Sequence, residues 1–597
     1  MSDDVDVRAA TTGARPAVVR RLGSAATWAS RVSGPVDVDP ELMVIGLPAA
    51  RGISGFTSGW GLEYEPHRLP IDEPSVWEVT SGRSSQGAVP WLAVDTEIGT
   101  VVVTVHWSGN WRFVIIPQPD GLQVSVALHP DGQRVVLGDG ESLRLPEVSI
   151  AVGATRTQAA ESLVRLLAEQ VPPSPAGLPT EWNHWWPYED AEIDEDTFLA
   201  EAAVAADLGL DVAVLDAGWF GRADAGSDWV AERGDWRRVN TVRFPHGLRW
   251  LADRTRERGL GFGIWIEAEA VGPGASVATE HPDLLALDDH DDPLGYVCLG
   301  SPAGQEHVHD HVARLITETD ARWIKWDFNL DPGSGCRRAD HGHRSDDGLL
   351  RHYLGLYATL DRLRSEHPEV IFEACSSGGL RIDAGLAGHV DGFFLSDPDW
   401  TEHHLACLWG ASQLLPPRQI LHWPQSEWRG EHRFQKVDYS GTLITASQFD
   451  TKIRAAMLHR FGMSVRLTQL RADLRDRLRE HLQVYTAVVE PMLAAGVLVP
   501  LTEQPLREER GQRQPAYQLT SGEDHLVAAF LLPPRWSWEP VLPVGLAADL
   551  DYEVTDLSSG SVRRRSGRSL MAEGLDPPVD ATSAWWSVRP RRHAGPD

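Results

Sequence analysis

Eight short runs of β-branched and aromatic residues punctuate residues 181–467, and helical patterns separate several of them. The runs cover 181–186, 212–219, 260–266, 322–328, 369–375, 392–397, 419–423 and 463–467; the helical patterns cover 197–207, 246–258, 304–319 and 346–365. Apolar runs without polar alternation suit strands buried on both faces, which belong to parallel sheets. Joining parallel strands requires a crossover, and a helix is the usual one. Eight such units in about 290 residues match the count and length of a (β/α)8 barrel. An amphipathic stretch over 473–493 predicts its last helix.

The flanks follow a different rhythm. Residues 41–155 alternate apolar and polar positions between turns, and 100–107 and 111–116 flank Ser108-Gly109-Asn110 in the manner of an antiparallel hairpin. Residues 157–170 carry leucines at helical spacing, and the proline-rich 171–179 forms a linker. Alternation returns from about Leu498, and the basic tail from Arg589 is expected to fray. The expected architecture is therefore multidomain, a central (β/α)8 TIM barrel with an N-terminal β-sandwich and a small C-terminal antiparallel β-domain. The boundaries are 1–172 for the sandwich and its connecting helix, 173–495 for the barrel, and 496–597 for the last domain.

Composition removes several function classes. A formal net charge of −30 argues against nucleic acid and anionic membranes as partners. The four cysteines, Cys298, Cys336, Cys375 and Cys407, show no paired spacing of a zinc site or disulfide framework, and few thiols in a long chain fit a reducing compartment. The 23 histidines offer no metal-ligand spacing, so neither metal nor cofactor is expected; His341, His343 and His352 fall in a loop and the start of a helix. The first 34 residues lack the apolar core of a signal peptide, and no run of about 18 apolar residues exists, so a cytoplasmic location is expected. Tryptophan is over-used, at 24 residues against 9 Tyr and 14 Phe, and indole faces suit pockets for ligands that are partly apolar and partly polar. Trp182, Trp185, Trp219, Trp265 and Trp326 stand beside acids at strand ends.

The C-terminal ends of barrel strands are where such folds keep their chemistry. Here they read Trp182-Asn183-His184-Trp185, Asp216-Ala217-Gly218-Trp219, Trp265-Ile266-Glu267, Lys325-Trp326-Asp327, Glu373-Ala374-Cys375-Ser376-Ser377 and Ser396-Asp397. Two acids, Asp327 and Asp397, end apolar runs at one mouth. Cleaving a glycosidic bond needs such a pair, one to act on the anomeric carbon and one to protonate the leaving oxygen.

Taken in order, these segments resemble glycoside hydrolase family 36, the melibiase-like α-galactosidases. The resemblance covers about Trp182 to Leu467 and adds His106 to Trp111, Gly234-Asp235-Trp236, Phe244 to Leu248, His281-Pro282-Asp283, Asn329, and Cys375 to Asp383. It implies Asp327 as nucleophile and Asp397 as acid/base in a double displacement with retention. It further implies Trp185, Asp216, Trp265, Lys325, Cys375 and Arg381 around the sugar, with Lys325 favouring the charge of Asp327. Flanking Phe393, Phe394 and Leu395 would desolvate Asp397 and favour its protonated form; Asp399, two residues on, is the alternative acid. Arg381 could instead pair with Asp383 or a loop acid.

The implied activity is an exo-acting α-galactosidase on melibiose- or raffinose-type oligosaccharides, needing no cofactor. Partners are then the oligosaccharide or α-glycoside substrate, with a homo-oligomer left open. The family motif carries two adjacent aspartates where this chain has Asp216-Ala217, and Ser301, Ser377, Trp186 and Pro398 are further departures. An α-N-acetylgalactosaminidase, another α-pyranosidase, a raffinose-synthase-like transglycosylase, or a sugar-binding protein without catalysis remain as alternatives.

Overall fold

The structure, a computed structural model, describes residues 5–8, 16–171, 173–224, 226, 228–424, 444–535 and 537–591. Its N-terminal part is a sandwich of two antiparallel sheets. The smaller orders Asp6–Arg8, Glu41–Leu47, Gly121–Leu128, Trp111–Gln118 and Ser75–Val79; the larger includes Ala17–Leu22, Ala25–Ala29, Val148–Gly153, Gly99–Val105, Trp91–Thr96 and Ala50–Ser58. The sandwich thus begins well before residue 41.

The expected hairpin at 100–116 is not one. Gly99–Val105 pairs with Trp91–Thr96 and Val148–Gly153, whereas Trp111–Gln118 pairs with Ser75–Val79 and Gly121–Leu128. The connecting 106–110 crosses from one sheet to the other and is buried throughout, where a hairpin tip would face water. It is buried because it meets the barrel. Ser108 N donates to the Tyr357 hydroxyl at 3.1 Å, and Asn110 Nδ2 donates to Gly333 O at 2.8 Å. Asn110 Oδ1 accepts from Gly82 N at 2.6 Å. Gly82 has φ +88°, and a Cβ there would lie 2.5 Å from Pro332 Cγ, so the seam needs glycine.

The barrel comprises eight parallel strands: β1 (Glu181–Asn183), β2 (Val212–Leu215), β3 (Gly261–Ile266), β4 (Trp323–Trp326), β5 (Ile371–Ala374), β6 (Gly392–Phe394), β7 (Ile420–Leu421) and β8 (Gly462–Met463). β8 pairs with β1, and Arg460 N donates to Ile420 O at 3.1 Å beside a Leu421–Arg460 bridge, closing the ring. The outer helices are α1 (Glu195–Leu208), α2 (Gly247–Arg256), α3 (Pro302–Thr319), α4 (Gly348–Glu366), α5 (Thr401–Ala411), α6 (Ala446–Ala456) and α7 (Ala472–Val484). Local chemistry sets their ends: Asp194 caps the Thr197 amide at the start of α1, and Gly209, at φ +90°, ends it. A short 3-10 turn at Leu386–Gly388 stands between β5 and β6.

The C-terminal part is a six-stranded antiparallel sheet, ordered Val497–Pro500, Ala516–Ser521, Asp524–Phe530, Ser583–Pro590, Asp551–Asp556 and Val562–Ser566. Arg589 pairs with Glu553, so the tail is ordered at its start; residues 592–597 lie outside the described ones. No helix among the described residues is long and apolar enough to cross a membrane.

The sandwich–barrel seam yields a prediction. Asn110→Ala orphans the buried Gly82 donor, at about 1–3 kcal/mol, and the half-buried Gly333 acceptor. Hydrogen exchange over 80–84 and 331–335 should accelerate roughly 10- to 100-fold. Unchanged exchange there would show that the asparagine does not hold the seam.

Candidate active site

Asp327 follows β4 directly and is 7% exposed at the mouth. Its backbone continues the ladder, donating to Ile266 O on β3 at 2.9 Å. Its carboxylate is held at both oxygens: Trp265 Nε1 donates to Oδ2 at 3.1 Å and Phe328 N to Oδ1 at 2.8 Å. Two fixed donors from two elements leave the carboxylate little rotational freedom.

Asp397 lies three residues beyond β6 and is partly exposed. Burial of its surroundings, then the negative charge of Asp327, push its carboxyl up to about 6, while a hydrogen bond from Trp60 pulls the other way. Trp60 Nε1 donates to Oδ2 at 2.8 Å from a loop of the sandwich. Asp399 is a different kind of group. It is 1% exposed, with Lys452 Nζ at 2.8 Å and His404 Nδ1 at 3.1 Å. Burial alone would raise it, but Lys452 and His404 outweigh burial and hold it far below the usual carboxylate range. A carboxylate so paired is a poor proton donor.

Lys325 points into the barrel, and its Nζ lies 2.9 Å from Asp216 Oδ2 and over the rings of Phe394 and Trp423. Lys325 interacts with Asp327 through charge, while its hydrogen-bonded partner is Asp216. Burial works against the ammonium charge, yet Asp216 and the acids beyond it hold the lysine protonated well above its usual range. Asp216 also accepts from Asn183 Nδ2 at 2.8 Å and from the Ala217 amide at 2.9 Å, while its own amide donates to His184 Nδ1. Ala217 itself is buried, presenting a methyl where a carboxylate would stand.

Aromatic walls surround these acids. Trp185 is half-buried and meets Trp229 edge-on, and Trp229 meets Trp265 the same way; Trp265 stacks on Phe220. The other three tryptophans marked in the sequence serve packing. Trp182 donates to Val465 O and packs on Phe198 of α1, Trp219 donates to Trp265 O, and Trp326 donates to Glu269.

Cys375 is buried after β5, where burial and then Asp327 push its thiol well above the usual range, so it is inert. Arg381 is 2% exposed and is engaged by Glu269 at 3.0 and 3.3 Å, not by Asp383. Its guanidinium covers the ring of Phe328, and Glu269 also accepts from His352. That pair braces the residue after Asp327 from behind. Ser377 adopts φ +46°, the left-handed conformation that a family glycine would take without strain. Its amide and hydroxyl both donate to Asn329 Oδ1, at 2.9 and 2.8 Å, which offsets the strain.

Several contributors escaped sequence reasoning. Trp60 comes from another domain; its only signal is an indole between two glycines in a polar loop. Glu63, in the same loop, accepts from Ser396 at 2.8 Å; Ser396 accepts from His403, and Arg507 of the C-terminal part donates to that histidine. Cys298, Cys336, His341 and His343, which no sequence spacing joins, are all buried, with ligand atoms within 4.8 Å of one another, a set that could hold a metal ion. His341 and His343 do lie in a loop, and His352 in α4.

A family model described as Melibiase matches residues 178–496. Among curated proteins, alpha-galactosidase AgaA of Geobacillus stearothermophilus is 28% identical over 447 residues, 72% of this chain and 59% of the relative. An alpha-galactosidase of Escherichia coli is 30% identical over 388 residues, 62% of this chain and 53% of the relative. The chain thus spans between about half and two-thirds of the length of these relatives. The crystal structure of GH36 alpha-galactosidase AgaA from G. stearothermophilus superposes with a TM-score of 0.83 at 23% identity, covering 95% of this chain and 80% of that one. That likeness establishes the fold. Variants of AgaA have been crystallised in complex with stachyose and with raffinose.

The raised carboxyl of Asp397 carries a stability cost with a defined pH window. Its folded value of about 6 exceeds the ordinary 3.8, so native stability is fully present below about 4 and is lost as pH rises through 6. Asp397→Asn removes that loss. Its thermal midpoint should equal wild type near pH 4, exceed it increasingly to pH 6, and keep a constant advantage above. A midpoint difference that does not change with pH would contradict the assignment.

Proposed function

The chain belongs to the melibiase family, and from that premise we propose that it is a retaining, exo-acting α-glycosidase for small α-galactosides of the melibiose and raffinose type. The observation that carries the reading is the unequal pair of aspartates. Asp327 is fixed at both oxygens by N–H donors, and Asp397 has its carboxyl pushed up to about 6. Relatives named alpha-galactosidases, and the stachyose and raffinose complexes of AgaA, support the substrate class.

In the first step an oxygen of Asp327 bonds to the anomeric carbon, the bond to the leaving oxygen breaks, and that oxygen takes the proton of Asp397. Forming the ester removes the charge of Asp327, the largest influence after burial among those that raise Asp397. Asp397 therefore turns from acid to base as the reaction proceeds. It then takes a proton from water as the water oxygen bonds to the anomeric carbon and Asp327 departs, giving net retention. Asp216, oriented by Lys325 and Asn183, keeps acceptor capacity for sugar hydroxyls. Trp185 and Trp265 form the apolar walls, Cys375 lines the floor, and Arg381 acts through Phe328 as a positioning residue.

Ala217 favours a second reading within the same chemistry, an α-pyranosidase for another glycone. A methyl in place of a buried acceptor leaves one sugar hydroxyl unpaired, at about 1–3 kcal/mol. Aryl α-glycosides of galactose, N-acetylgalactosamine, glucose and arabinopyranose separate the readings. Galactose should lead in kcat/KM, and Asp327→Asn should lower turnover at least about 10,000-fold while substrate binding persists. Preference for another sugar would replace the galactoside reading; unchanged turnover in Asp327→Asn would remove the mechanism. Sugar transfer outpacing hydrolysis with added acceptor would make the protein a transglycosylase.

A further inference from the structure

Cys298 and the segment Cys336 to His343 are far apart in sequence but adjacent in the fold. Cys298 follows the strand Pro293–Val297 in the connection between β3 and α3, while Cys336, His341 and His343 lie in the long loop from Asp327 to α4. Cys298 Sγ is 3.2 Å from His343 Nε2, and Cys336 Sγ is 3.6 Å from His341 Nδ1. Zinc bonds of about 2.3 Å to sulfur and 2.0–2.1 Å to nitrogen give tetrahedron edges of roughly 3.3–3.8 Å. The four atoms need little adjustment to surround one ion.

The surroundings favour the same conclusion. His341 Nε2 lies 2.8 Å from Asp283 O, and His343 Nδ1 lies 2.8 Å from Arg344 O. A carbonyl accepts only, so each imidazole carries its proton on the outer nitrogen and turns a lone pair toward the two sulfurs. This outer-shell arrangement is the one that fixes metal-binding histidines. Backbone closes around the site: a Cβ at Gly300 would lie 2.6 Å from His343 Cδ2, and one at Gly348 would lie 1.8 Å from Cys336 O.

Two other buried clusters differ because a side-chain cation already fills them. Arg507 donates to His403 beside Glu63 and Cys407, and Lys452 sits on Asp399 beside His404 and His422. Among the described residues, no lysine or arginine side chain hydrogen-bonds to Cys298, Cys336, His341 or His343.

We propose that Cys298, Cys336, His341 and His343 form a Cys2His2 site for one zinc ion. Four protein ligands leave no open position for substrate or water, so the site is structural. It pins the β3–α3 connection to the loop that leaves the nucleophile strand. Phe328, next to Asp327, packs in one buried cluster with Cys298 and Cys336, so the ion's clamp reaches the active site through one side chain.

Metal analysis of the full-length protein, produced in zinc-supplemented medium and desalted, tests the proposal. One zinc per chain is expected, and Cys336→Ser/His341→Ala should retain at least ten-fold less. Should that variant fail to fold, cobalt exchange into the wild-type protein decides. Intense visible bands of tetrahedral cobalt with thiolate charge transfer support the site; a weak octahedral spectrum overturns it. Wild-type zinc below a tenth of an equivalent, full zinc in the double variant, or a Cys298–Cys336 disulfide in the purified protein would also overturn it.

Discussion

The ion pair between Lys325 and Asp216 is the interaction on which the interior of the barrel depends. Lys325 stands among Asp216, Glu373 and Asp327, and its charge also acts on Glu181; the four acids come from the ends or interiors of β1, β2, β4 and β5. Burial pushes the carboxyls of Glu181 and Glu373 upward, so the interior resists carrying all of these charges. A single ammonium, covered by Phe394 of β6 and Trp423 after β7, gives them a common counter-charge. Removing one member of such a buried pair costs about 3–5 kcal/mol because the other is left uncompensated. The pair also occupies Oδ2 of Asp216, the oxygen that accepts from Asn183 as well.

Around that centre the fold creates two aspartates with different surroundings. Asp327 continues directly from a strand and finds two N–H donors on neighbouring backbone and indole. Asp397 stands further from its strand, against a sandwich loop and within reach of the charge of Asp327. Behind it, Arg507, His403, Ser396 and Glu63 form a hydrogen-bonded chain that joins all three parts of the protein at the residue before the acid. The flanking β-domains are therefore part of what positions the site.

Much of this was legible in the sequence because barrel strands are buried on both faces and end at one rim. Strands such as Val212–Leu215 and Trp323–Trp326 have no exposed residue, and the resulting apolar runs are unmistakable. β7 and β8 were less legible, because each pairs only two residues and the expected runs, 419–423 and 463–467, reach beyond them. The segment 106–110 was misread because a buried sheet-to-sheet crossing has the same Ser-Gly-Asn composition as a hairpin tip. Trp60 was invisible as a site residue because its partner is 337 positions away. The proximity of Cys298 to the Cys336–His343 segment was hidden for the same reason, since spacing is readable only within one local segment. The partner of Lys325 could not be read from its register, which gives the face it occupies but not which of several acids its long chain reaches.

In the proposed mechanism Asp327 forms a covalent bond to the sugar while Asp397 handles the proton. A fluorinated α-galactoside that forms the glycosyl-enzyme but turns over slowly, followed by proteolysis and mass analysis, tests it most directly. One glycosyl mass is expected on the peptide bearing Asp327 and none on the peptide bearing Asp397 and Asp399. A label on any other residue, or no label together with an inverted first-formed sugar, would contradict it.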